Sequence, residues 1–253
     1  MAGGPPFAWR VGDHATVIGD TGSGKTYLLA KALLPMREFS VVFVTKEDKR
    51  DTALWTSAGY HIIRKAKEID DTRYSRFVLQ PRYSQQAVEG WRLFERVYRQ
   101  GRWTIVVDEF LLAERLGLRE QIERLLTQGR SDGITVVVGQ QRPVITSRFA
   151  LSQSTHVISF RIDGDDAKTL GERTTSRILP FVNENYNRSP TRNPDKSALL
   201  GDHEFVYYHR AARFLGVGKA QTLGRLLARP GDIEKSRRSA IDSAPASASV
   251  GLK

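Results

Sequence analysis

Gly19-Asp20-Thr21-Gly22-Ser23-Gly24-Lys25-Thr26 holds the residue types needed to cradle a chain of phosphates. Its glycines let backbone wrap closely around an anion, and successive N–H groups and the start of a following helix face it. Lys25 reaches the terminal phosphates, and the Thr26 hydroxyl ligates Mg²⁺. The run fits the G-x-x-x-x-G-K-[ST] pattern of a phosphate-binding loop. It lies between an apolar stretch, Ala15 to Ile18, and a helical one at 26–34 that Pro35 is expected to end. That context sets it apart from a mere glycine turn.

A second element lies downstream. Thr104-Ile105-Val106-Val107 reads as an apolar strand, and it runs directly into Asp108-Glu109. Alone, this could be a solvated strand end. In a sheet that also carries a phosphate loop, the carboxylates fall at the strand ends where open α/β sheets bind ligands. Asp108 is then expected to join the magnesium shell, and Glu109 to serve as general base toward an attacking water. The cofactors expected from these residues are ATP and Mg²⁺.

Such side chains need a sheet to hold them. Apolar or β-branched runs at 41–45, 77–79, 134–138 and 156–160 alternate with helical periodicity over 83–100 and 111–128. Several strands are apolar throughout, which predicts a mostly parallel central sheet covered by helices on both faces, an α/β P-loop NTPase fold. Residues 46–82 otherwise give weak signals. Past about Arg177 the pattern fades: 183–196 reads as a loop, 204–208 and 213–217 as an aromatic-rich hairpin, and the stretch from Arg229 as disordered. The expected organisation is a leader at 1–12, an ATPase core at 13–180, an extension with the hairpin at 181–228 and a tail at 229–253.

The 253 residues carry a formal charge of +11 and a pI near 10.0. That excess suggests a polyanionic partner such as nucleic acid, or else simple solubility or attraction to an anionic membrane surface. No run is long and apolar enough to span a bilayer, so a cytoplasmic protein without stable membrane insertion is expected. Cysteine is absent, which excludes disulfides and thiolate metal sites, and the five histidines are scattered and read as structural or surface residues, not ligands.

A third segment runs from Gly129-Arg130-Ser131-Asp132-Gly133-Ile134 through Val138 into Gln140-Gln141-Arg142-Pro143. It resembles the FtsK/HerA superfamily of DNA-translocating ATPases, where an Arg-x-x-Gly-Ile turn feeds a strand ending in Gln-Arg-Pro. The match continues through the strand from Thr155 to Arg161 and the acidic helix start at Asp163 to Asp166, and covers roughly residues 15–172. The resemblance implies a RecA-like, additional-strand fold and a homo-oligomeric ring, hexameric or pentameric, moving along double-stranded DNA. It also implies that Gln141 senses the γ-phosphate and that Arg130 is an arginine finger acting on a neighbouring subunit. The plainer readings are a strand-end amide for Gln141 and a solvated turn residue for Arg130. Arg142, Arg148 and Arg161 follow strand tips and could face a central channel.

The chain also departs from that pattern. It has no room for the amino-terminal barrel of HerA translocases or for the membrane anchor, linker and winged helix of FtsK, and Gln140 replaces a small residue. The expectation is a minimal motor of the viral genome-packaging kind, docking on a capsid or portal-vertex component and so cytoplasmic or virion-associated. Two alternatives stay open: an assembly or secretion ATPase like the Zot proteins of filamentous phages, and a P-loop kinase. Zot proteins usually carry a membrane helix. Kinases need an acceptor pocket and seldom place Glu directly after the magnesium Asp. A non-catalytic nucleotide switch would leave Glu109 without a purpose.

Overall fold

The computed structural model describes residues 9–46, 48–143, 148–183 and 200–223. Expectations for residues 1–8, for most of the loop at 183–196 and for the tail from Arg229 lie outside these residues. A nine-stranded sheet forms the centre, in the order β3-β4-β2-β5-β6-β1-β7-β8-β9. Its strands are β1 (Ala15–Ile18), β2 (Ser40–Phe43), β3 (His61–Ile63), β4 (Arg76–Leu79), β5 (Thr104–Val107), β6 (Thr135–Gln140), β7 (His156–Ser159), β8 (Glu204–His209) and β9 (Phe214–Lys219). The first seven run parallel, and β8 and β9 are antiparallel.

Period-two alternation explains why whole strands are apolar. Val17, Val42, Val106, Val137 and Ile158 pack on one face, with the helix α1 (Lys25–Leu28) and with Trp55 of α2 (Lys49–Ser57). Val41, Phe43, Ile105, Val107, Val136 and Val138 face the other side. There they meet α3 (Gln86–Gln100), α4 (Phe110–Arg115), α5 (Arg119–Gln128) and the start of α6 (Arg148–Gln153). Helices α7 (Gly164–Arg173) and α8 (Leu179–Val182) complete that face beneath β1, β7 and β8. The mostly parallel sheet covered on both faces is thus present as expected.

Three local expectations need correction. The helix expected over 26–34 is not uniform: α1 widens into a π-type turn at Leu29–Leu33 and tightens into a 3-10 turn at Leu34–Met36. Pro35 sits inside that last turn, because an opening turn asks no N–H of it. The single helix expected over 111–128 is two, α4 and α5, broken at Gly117, whose φ of 77° no helix accommodates. The hairpin is present, but it is an integral part of the main sheet, since β8 pairs with β7 from His156↔His209 to Ser159↔Val206.

Parallel pairing sets the site. Ile18 lies beside Gln140 and Ser159, Val107 beside Val138, and Phe43 beside Val107. The residues that follow β1, β2, β5, β6 and β7 therefore leave the sheet along one edge. At that edge β5 and β6 approach so closely that any side chain on Gly139 would run into the Asp108 carbonyl. Gly139→Ala is expected to cost about 1–3 kcal/mol of stability through this overlap, measured as a lowered urea midpoint. An unchanged midpoint would show that β5 and β6 can separate freely.

Candidate active site

Residues 19–26 follow β1 as a loop shaped by left-handed glycines, Gly22 with φ 82° and Gly24 with φ 106°. Gly24 opens α1, and its carbonyl accepts from the Leu28 N–H at 2.9 Å. The Lys25 ammonium folds back inside the loop, donating to the carbonyls of Gly19 at 2.5 Å and Asp20 at 2.8 Å. Burial lowers the Lys25 pKa from its ordinary value, opposed by the charges of Asp108, Glu109 and Asp20. The Ser23 hydroxyl is buried with no hydrogen-bond partner. An anion placed in the loop would meet both groups.

Asp108 and Glu109 stand where the sequence placed them, at the tip of β5. Burial, with Asp51 second, pushes the Asp108 pKa up to about 6, against the pull of Lys25. Glu109 is held from two sides: Gln141 Nε2 donates to its Oε2 at 2.6 Å, and Lys46 Nζ lies 3.6 Å from the same oxygen. Lys25, Thr26, Asp108, Glu109 and Gln141 line one cleft of about 720 Å³, the size of an ordinary small-ligand site. Thr26 and Asp108 are one hydroxyl and one carboxylate, the sparse oxygen set that suits Mg²⁺ when phosphates supply further ligands.

The remaining predicted residues scatter. Arg130 lies at the opposite edge of the sheet, exposed, its stem close to Gly12 and its charge felt by His14. It is not in the cleft of its own chain. Arg142 pairs with Asp166 at 3.1 Å and with Asp163 at 3.8 Å, and Arg161 pairs with Asp202 at 2.7 Å. Arg148 is exposed at the start of α6. Buried His14 is structural, as expected: Nε2 donates to the Leu126 carbonyl and Nδ1 accepts the Val136 N–H.

The cleft also contains residues that no motif marked. Lys46, Asp48 and Asp51 line it from the segment after β2. Asp48 caps α2 by accepting the N–H groups of Arg50 and Asp51. Burial and Asp48 raise the Asp51 pKa, opposed by Lys25. Asp48 ahead of a short helical run is the one signal that could have located this wall.

This architecture is shared with solved structures. The genome packaging NTPase B204 from Sulfolobus turreted icosahedral virus 2, in complex with ATP-gammaS, matches with a TM-score of 0.62 and 13% identity, over 82% of this chain and 97% of that one. Its complex with AMPPCP matches over the same shares at 0.61 and 13%. B204 of Sulfolobus turreted icosahedral virus, the DNA-packaging ATPase, matches at 0.59 and 16%, over 83% and 98%. The chain has the P-loop NTPase fold. At these identities the P-loop likeness is one of fold. No protein-family model matches the sequence, and no curated protein does. Among the described residues no helix is long and apolar enough to cross a membrane.

The raised Asp108 pKa has a consequence for stability. The folded chain keeps that proton up to about pH 6, whereas an unfolded chain releases it near the ordinary aspartate value of 3.8, so this group's contribution falls as pH rises between the two. Asp108→Asn is expected to stabilise the nucleotide-free protein by up to about 3 kcal/mol above pH 6, a gain that shrinks as pH falls from 6 and is mostly gone by pH 4. Urea unfolding at pH 7.5 and pH 4 measures both. A loss of stability at pH 7.5 would mean that the charged carboxylate is held by favourable partners.

Proposed function

We propose that this protein is a Mg²⁺-dependent ATPase that works as a ring on double-stranded DNA, as a genome-packaging motor. The observation that carries the hydrolytic reading is the convergence of Lys25, Thr26, Asp108, Glu109 and Gln141 on one cleft, from three different strands of one sheet. Thr26 and Asp108 would hold magnesium, which would neutralise charge on the β- and γ-phosphates when bound. Lys25 would leave the Gly19 and Asp20 carbonyls for the phosphates. Glu109, nearly buried, would take a proton from water as its oxygen bonds the γ-phosphorus and the bond to the ADP oxygen breaks.

Gln141 donates to the Glu109 oxygen that would receive that proton. A γ-phosphate offers the Gln141 amide a competing acceptor, so Gln141 would report its presence by releasing Glu109. Arg130, at the far edge, could only serve a neighbour, which is why the finger reading needs a ring. The net charge of +11 and the likeness of fold to packaging NTPases support DNA as the polymer.

The test is phosphate release from Mg·ATP with no acceptor present, with and without linear duplex DNA. Duplex is expected to raise turnover, with an effect that falls steeply as salt rises and is indifferent to sequence. Glu109→Gln should still bind Mg·ATP and turn over at least about a hundredfold more slowly. Mixed with Arg130→Ala in rings, it should recover activity, because an intact Arg130 then meets an intact Glu109. Hydrolysis without any response to DNA would leave an ATPase but remove the translocase. Phosphate transfer only to a small acceptor would make it a kinase.

A further inference from the structure

We propose that the nucleoside of the bound nucleotide is recognised by Arg161 and Asp202 in a second cavity across the P-loop; this rests on the nucleotide-binding reading above. The topology supplies the first argument. Strands β6 and β5, bearing Gln141, Asp108 and Glu109, lie to one side of β1, and β7 and β8 lie to the other. A triphosphate whose terminal phosphate meets Glu109 carries its nucleoside away from the acidic pair, toward β7. On that side lies a separate polar cavity of about 250 Å³. P-loop residues 20–23 form one wall, Phe160, Arg161 and the turn at 201–204 the other, and Thr21 and Gly22 line both cavities.

The outer wall is fastened to the loop. His203 Nδ1 donates to the Ser23 carbonyl at 3.2 Å, from a left-handed backbone of φ 58°. Its ring lies so close to Gly24 that a side chain there would touch it, and Phe160 packs likewise against Gly19. Glu204 closes the turn by accepting the Gly201 N–H at 2.7 Å. On this wall Arg161 and Asp202, paired at 2.7 Å with the Asp202 side chain 88% exposed, are able to meet a ligand, facing Asp20 of the loop across the cavity. A planar guanidinium stacks on a base face, and a carboxylate accepts from ribose hydroxyls or an exocyclic amine.

The experiment compares two probes on the full chain by calorimetry: Mg·ATP, and inorganic tripolyphosphate with magnesium, which lacks a nucleoside. Asp202→Ala and Arg161→Ala are each expected to weaken Mg·ATP about tenfold and to leave tripolyphosphate binding as in the wild type. Equal losses for both probes would overturn the proposal, reducing the turn to a support for the P-loop. No loss for either would also overturn it and place the nucleoside in the main cleft beside Tyr27. A wild-type chain that binds neither probe would instead bring down the P-loop reading itself, and this proposal with it.

Discussion

The Lys25 ammonium is bonded to the carbonyls of Gly19 and Asp20, within the loop proposed to hold phosphate. The loop thus closes on its own cation, and the surrounding charges are held at a cost. Burial draws the Lys25 pKa down and pushes that of Asp108 up, so each charge is set against its own solvation and only partly relieved by the other. Nearby, the buried Ser23 hydroxyl has no partner, and Glu109 is occupied by Gln141 and Lys46. A magnesium–triphosphate complex is one ligand that would answer all of these groups together.

That arrangement depends on the sheet edge more than on any one loop. Because β1, β5 and β6 run parallel in fixed register, the P-loop, the acidic pair and Gln141 emerge side by side. The contact between Gly139 and Asp108 leaves no slack between two of them. The antiparallel β8–β9 hairpin extends the same sheet and brings the turn at 201–204 back against the P-loop. Residues 180 positions apart in the chain, Ser23 and His203, thereby share a hydrogen bond.

What could be read from sequence was what is contiguous. The phosphate loop, the strand entering Asp108-Glu109 and the strand entering Gln141 each declare themselves within a few residues, and each stands at the edge expected. The wall formed by Lys46, Asp48 and Asp51 was not legible, because α2 carries little apolar periodicity and β3 is only three residues long. His203 and Asp202 were hidden for another reason: nothing in their neighbours says that β8 returns to β7. The break at Gly117 was visible as a glycine but looked tolerable inside a long amphipathic run. Arg130 lies away from its own cleft, so its role turns on a subunit interface that one chain does not contain.

On the proposed reading, a magnesium nucleotide relieves the crowded charges of the cleft, those of Lys25, Asp108 and Glu109. The decisive measurement is thermal denaturation of Glu109→Gln, in which an amide replaces the proposed general base. Saturating Mg·ATP should raise the Tm by about 5–10 °C, as a ligand at a hundred times its Kd does for a domain of this size, while ATP with EDTA, or magnesium alone, should give a much smaller rise. An unchanged Tm in Mg·ATP, or an equal rise without magnesium, would contradict the account.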